Sequence, residues 1–327
     1  MRIFPAFLSL LLLLLPVACG GGKAGGGKGK RKWIIGFSQC NNAEPWRAAM
    51  NKALLAEAAR HADEIEVILV DAQNDSAKQR SDVENLVTRG IDLLIISPKE
   101  ATPLTRPVKK VFESGTPVIV LDRDIDEPAY TCFIGAPNEP IGEMAGKYAV
   151  ELLGGKGNVV EIMGLQSTPP GRERHEGFLK GIAGSRLKII YSQDAAWLRE
   201  EGMKVMENAL QAFPKIDLVY AHNDPMALGA RRAAEAAGRA AEMKFIGIDG
   251  LPDEGVKAVL EGKLDATFWY PTCGKEAVQT ALKILHGEKV PKRIDLKSMR
   301  ITRENAVQFL EMVGASVPEG GTKKEER

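Results

Sequence analysis

Short apolar runs alternate with amphipathic stretches along most of this chain, and that alternation restricts the fold more than any other feature. Residues 33–37 (WIIGF), 66–71 (EVILVD), 93–97 and 118–122 read as strands. Strands buried on both faces are apolar throughout, so these belong to a parallel sheet covered on both sides. Helices are expected over 46–60, 76–89 and 103–114. Ser76 and Gln79 have the spacing of a capping box, and Gly90 and Gly115 stop the second and third helices. After Ile134-Gly135 the pattern begins again. Strands are expected at 159–163, 187–192, 218–221, 245–249, 266–270 and near 296–299. Helices are expected at 140–153, 172–182, 199–213, 225–237, 253–261, 274–286 and 303–313.

Without its terminal segments the chain keeps about 290 residues, more than one core usually serves. Strand–helix alternation predicts an α/β fold of two doubly wound parallel-sheet lobes. The last elements are too few for a third domain and are expected to complete the first two. That predicts lobes of 33–136 plus 271–295 and of 137–270 plus 296–312. Three chain crossings near Ala136, Tyr270 and Asp295 would form the hinge.

The N-terminus predicts the compartment. Arg2, an apolar run over 8–15 and Ala18-Cys19-Gly20 make a secretory signal, too short for a spanning helix. A lone Cys at the cleavage point looks like a bacterial lipoprotein signal, residues 1–19, in which Cys19 would take a diacylglycerol. Pro16 departs from the Leu that such signals prefer three residues before the Cys. Residues 20–32 (GGGKAGGGKGKRK) read as a tether spanning about 20 Å as a random coil. Its lysines could lean on anionic headgroups. The Gly-x4-Gly-Lys within 22–29 is not a phosphate loop, because no strand precedes it and Gly29 stands where Ser or Thr is needed. Residues 313–327 read as a flexible tail. The expected place is the periplasm or cell surface, with a lipid anchor in a membrane.

A formal net charge of +1 with 44% hydrophobic residues gives no footprint for nucleic acid. Cys40, Cys132 and Cys273 follow Cys19, an odd number that excludes a full disulfide framework, so buried free thiols are expected. His61, His175, His222 and His286 stand in no metal-ligand spacing, so neither metal nor cofactor is expected. His222 is the one candidate base near the presumed cleft, and no nucleophile accompanies it. The expectation is therefore no enzyme. A DNA-reading repressor on the same core would need a helix pair where the signal and tether stand.

Ligands of open parallel sheets bind beyond the carboxyl ends of the strands. Those positions hold Asn41, Asn42, Trp46 and Arg47 after the first strand and Asp122-Arg123 after the fourth. Later strands lead to Arg172, Trp197, Asn223, Asp249 and Tyr270. Asp224, ahead of Pro225, reads as a helix cap. Carboxylates and guanidinium forks match vicinal hydroxyls, and a sugar ring's C–H face packs on flat aromatics. Three Arg against two Asp predict a local positive excess.

The chain resembles the type I periplasmic sugar-binding proteins, the ribose/galactose-type receptors of ABC importers, over almost all of 33–312. The resemblance rests on Gly36-Phe37-Ser38-Gln39 with Trp46-Arg47-Ala48-Ala49, and on residues 117–123 (PVIVLDR) and 172–178 (RERHEGF). It rests also on Tyr220-Ala221-His222-Asn223-Asp224, Met226 to Ala230 (MALGA) and Ile248-Asp249-Gly250. The first and the Tyr220 stretches are most like the galactofuranose branch, and the Arg172 stretch the ribose branch. The resemblance implies that Asn41, Asn42, Trp46, Arg47, Asp122 and Arg123 meet the ligand from one lobe. It implies Arg172, Trp197, Asn223 and Asp249 from the other, with Tyr270 beside the hinge. It implies a monosaccharide ligand (pentose, hexose or furanose), an ABC permease as partner and a monomeric receptor that works by closure. A sensor presenting the same closed form to a chemoreceptor or kinase is the alternative. Tyr270 stands where ribose receptors place Gln, Ser97 where they place Asn, and Ala43-Glu44 lengthen the first loop.

Overall fold

The computed structural model describes residues 31–317. The signal segment 1–19, the lipidation site Cys19, the tether to residue 30 and the tail from residue 318 lie outside the described residues. The first elements are β1 (Trp33–Gln39), α1 (Pro45–Ala59), β2 (Ile65–Asp71), α2 (Ser76–Thr88), β3 (Leu93–Ser97), α3 (Ala101–Glu113), β4 (Val118–Leu121) and β5 (Cys132–Gly135). Next come α4 (Asn138–Leu152), β6 (Lys156–Met163), α5 (Pro169–Ile182), β7 (Arg186–Asp194), α6 (Arg199–Ala212), β8 (Leu218–Ala221) and α7 (Asp224–Ala236). The last described elements are β9 (Lys244–Asp249), α8 (Lys257–Leu260), β10 (Ala266–Trp269), α9 (Gly274–Leu285), β11 (Arg293–Asp295), β12 (Met299–Ile301) and α10 (Ala306–Met312).

These strands make two six-stranded sheets, ordered β11-β5-β4-β3-β1-β2 and β12-β10-β9-β8-β6-β7. Every pairing is parallel except β10 with β12. We call the body around each sheet a lobe. The chain passes between the sheets after β5, after β10 and after β11. β3, β4, β5 and β8 are buried along their whole length, which is why their sequences are apolar throughout. Helix α9 follows β10 in sequence yet returns to the first lobe. A Cβ on its Gly274 would run into the backbone of Leu54 in α1, so the two helices approach closely there.

Three readings of the sequence shift. The cap of α2 is Asp75, whose carboxylate accepts from the N–H groups of Ala77 (2.7 Å) and Lys78 (3.1 Å). Gln79 turns inward to Ser97 O and the Lys99 N–H. The short strand β5 and the three-residue strand β11 carry no clear sequence signal, and the latter is largely polar because it forms a sheet edge. The helix expected over 253–261 begins as a π-helical turn at Pro252–Val256 and becomes α8 only from Lys257.

Helices α4 and α5 pack through glycines. A Cβ on Gly142 would strike the Arg174 backbone, and one on Gly177 the Glu139 carbonyl. That contact fixes how far α5 stands from its neighbour, and therefore where its side chains reach.

Candidate functional site

The carboxyl ends of both sheets face one another and enclose a small pocket. Its walls are Glu44, Pro45, Trp46, Arg47, Asp122 and Arg123 from the first lobe. Pro170, Arg174, Trp197, Asn223, Pro225, Asp249 and Tyr270 come from the second.

On the first lobe, Pro45 opens α1, a position where its missing N–H is no loss. The first turn carries Trp46 and Arg47 inward, both buried. Arg47 Nη2 lies 2.9 Å from Asp122 Oδ2, and its Nη1 donates to Ser97 Oγ at 2.8 Å. Its Nε lies 3.4 Å from Glu44 Oε2. Arg123 donates to Lys99 O, and its buried Nε makes no hydrogen bond, lying 3.9 Å from Asp122 Oδ2. Burial alone would push the Asp122 carboxyl up, but Arg47, Arg123 and the Tyr270 hydroxyl together hold it below its ordinary value.

On the second lobe, Arg174 donates through Nε to Asn138 Oδ1 at 3.0 Å and through Nη1 to the His222 carbonyl. Its guanidinium lies 4.5 Å from the Tyr270 ring centroid and 5.4 Å from that of Trp197. Arg123 meets the same indole from the opposite lobe at 5.9 Å. The Trp197 Nε1–H is buried with no protein partner. Its ring lies over Gly164, where any Cβ would occupy the indole's space. Asn223 caps α7 by accepting the Met226 N–H at 2.9 Å and donates to Trp197 O at 3.1 Å. Asp249 stands 3.9 Å from Arg174 Nη1. Burial, with Asp224, Glu254 and Glu44 nearby, pushes its carboxyl well up, and Arg174 only partly opposes that.

The backbone is strained at this site. Asp122 (φ 64°), Trp197 (φ 70°) and Asp249 (φ 134°) all have positive φ without being glycine. Such conformations cost about 1–3 kcal/mol each and persist only where the surroundings enforce them. They turn three strand-end side chains into one pocket.

Of the residues expected at the site, Trp46, Arg47, Asp122, Arg123, Trp197, Asn223, Asp249 and Tyr270 line the pocket. Asn41 is one position removed: its Oδ1 accepts from the N–H groups of Ala43 and Glu44, and its Nδ2 donates to Glu44 Oε1. Asn42 is exposed and accepts from Asn51 Nδ2. Arg172 is exposed too and donates to the Gln166 carbonyl. The arginine that reaches the pocket is Arg174, two residues on. Helix α5 starts at Pro169, three residues earlier than expected, and two residues rotate a side chain by about 200°. The Thr168-Pro169 start signal was the clue to that phase. Glu44 was also missed, and it adds an acidic side chain to the wall: Arg47, Arg123 and Arg174 face Glu44, Asp122 and Asp249, the last with its carboxyl pushed up by burial.

Asp224 is not a cap. It is buried behind the pocket, accepting from Thr267 Oγ1 (2.7 Å) and the Gly250 N–H (2.8 Å), and burial pushes its carboxyl up to about 8. His222 is buried with Nε2 3.2 Å from Glu161, and it does not line the pocket. Cys40, Cys132 and Cys273 are buried free thiols. Among the described residues no group of three acidic, His or Cys side chains could hold a metal.

Residues 35–289 match the family described as periplasmic binding protein domain. A ribose import binding protein of Bacillus subtilis is 37% identical over 267 residues, 81% of this chain and 86% of that protein. Among solved structures, the fructose-binding periplasmic domain of a hybrid two-component system is 42% identical. It superposes with a TM-score of 0.83 over 86% of this chain and 94% of its own. An ABC transporter solute-binding protein of Bacillus halodurans with bound myo-inositol is 33% identical, with a TM-score of 0.81 over 86% and 98%.

Proposed function

The chain belongs to the periplasmic binding protein family, and from that premise we propose that it encloses one neutral monosaccharide between its lobes and delivers it to an ABC importer. The relatives are sugar-binding transport proteins and not enzymes. The observation that carries the ligand class is the wall of the pocket. Each of the three guanidinium groups already has a protein acceptor, Arg47 on Asp122, Arg123 on the Lys99 carbonyl and Arg174 on Asn138 and the His222 carbonyl, so the wall holds no guanidinium left over for an anion. Unpartnered buried donors on Trp197 and Arg123 call for acceptors, which sugar hydroxyls provide. Trp46 and Trp197 supply the faces on which a ring packs. The named relatives bind ribose, fructose and myo-inositol, all neutral polyols of one-ring size. Closure of the two lobes then gives the permease a shape to read.

Calorimetric titration against pentoses, hexoses, inositols and their acid and phosphate derivatives tests this reading. One neutral compound should saturate the protein at 1:1, ahead of its anionic derivatives. Tight binding confined to the anionic forms would overturn it.

The receptor also works as a lipid-anchored monomer in this reading, held through Cys19. Cys19→Ala should move the protein from the membrane fraction to the soluble one. A soluble wild type with a free N-terminus would refute the anchor. The match to a sensor domain favours a second reading, in which the closed form signals to a kinase. Deleting the gene separates the two: loss of labelled sugar uptake supports delivery, and intact uptake with a lost transcriptional response supports sensing.

A further inference from the structure

We propose that Tyr270 latches the two lobes together and, by occupying Asp122, helps set which sugar the pocket accepts. The inference rests on the monosaccharide reading for its second half only. Among the described residues, two side-chain hydrogen bonds run from one lobe to the other, and both end on Tyr270. The Tyr270 hydroxyl donates to Asp122 Oδ1 at 2.8 Å. The Trp46 indole Nε1–H donates to the Tyr270 carbonyl at 2.7 Å. Tyr270 itself travels with the second lobe. Its N–H donates to Asp249 O at 3.0 Å, its hydroxyl accepts from Asn138 Nδ2 at 3.2 Å, and Arg174 covers its ring. Asp122 and Trp46 belong to the first lobe, so an opening that carries Tyr270 with the second lobe breaks both bonds.

All these groups are buried, with Tyr270 at 2% exposure and Asp122 at 6%. A receptor whose lobes are bridged by its ligand alone rests open when empty. Here two protein bonds bridge the lobes by themselves, so part of the empty population is closed. The same geometry limits the ligand. Arg47 holds one Asp122 oxygen and Tyr270 the other, which leaves one lone pair on each for a sugar hydroxyl. Only a hydroxyl placed along one of those two directions can use Asp122, which ranks sugars by the position of that hydroxyl.

Two variants of the purified protein separate latch from selectivity. Tyr270→Phe removes the hydroxyl and keeps the ring. Trp46→Phe removes the other bond and leaves Asp122 occupied. Pulsed electron spin resonance between one label on each lobe, with no sugar present, should show both variants shifted toward longer distances. Calorimetry with ribose, arabinose, fructose and myo-inositol should show the tightest of them weakened roughly 2- to 12-fold in each variant, as for one hydrogen bond. Only Tyr270→Phe should reorder the four. Unchanged empty-state distances in both variants overturn the latch, and an unchanged sugar order in a folded Tyr270→Phe overturns the selectivity. The distances need no ligand, so a wild type that binds none of these sugars counts against the monosaccharide reading and leaves the latch to be decided by the distances.

Discussion

Two arginines two positions apart have opposite fates here, and the difference can be measured. Arg174 is buried at the pocket with three kinds of contact, and Arg172 lies outside it. Arg174→Ala should weaken sugar binding by roughly 10- to 150-fold, the scale of about 1.5–3 kcal/mol for a hydrogen bond to a charged group. Arg172→Ala should stay within about 2-fold in the same titration. Behind the pocket, Glu161 is buried and held down to about 2 by His175, His222 and Ser192, whose bonds outweigh the upward push of burial. A carboxyl depressed in the folded state stabilises above its unfolded value, near 4.3, and loses that contribution as pH falls toward 2. Chemical denaturation across that window should therefore show a steeper loss for wild type than for Glu161→Gln. Equal slopes would show that the cluster does not hold the charge. Strand-end residues such as Asp122, Asn223 and Asp249 were legible because a strand's end fixes where its next residue emerges. Arg174 was not, because a helical residue's direction depends on where the helix begins.

Elements were legible where burial made them uniform. The central strands β3, β4 and β8 announce themselves as apolar runs, and Gly90 and Gly115, both at positive φ, mark helix ends. The edge strand β11 (RID) was invisible because an edge needs no apolar face, and β5 (CFIG) because only Phe133 and Ile134 in it are bulky apolar residues. The glycines of α4 and α5 were also silent in sequence, where they read merely as weak helix formers. Their role is contact: Gly177 and Gly142 leave no room for a methyl group against the facing backbone. Gly177→Ala should force the helices apart at about 1–3 kcal/mol, lowering the thermal midpoint by several degrees. Because Arg174 rides on α5, sugar affinity should fall with it. A variant as stable as wild type would mean the helices can slide freely.

The whole molecule is two sheets whose carboxyl ends meet, tied by three passages of one chain. That arrangement makes ligand binding and closure one event, so the ligand should stabilise the folded protein by mass action. At about a thousand times the dissociation constant the gain is about 4 kcal/mol, visible as a raised melting midpoint. A bound sugar that leaves the midpoint unmoved at that excess would mean that it binds the unfolded chain as well as the folded one. The most direct test is a crystal structure with the sugar that titrates most tightly. The account expects a single ring enclosed between Trp46 and Trp197, with hydroxyls within about 3 Å of Arg123, Arg174, Asn223 and Asp249. A ring bound elsewhere on the surface, or an empty cleft at saturating sugar, would contradict it.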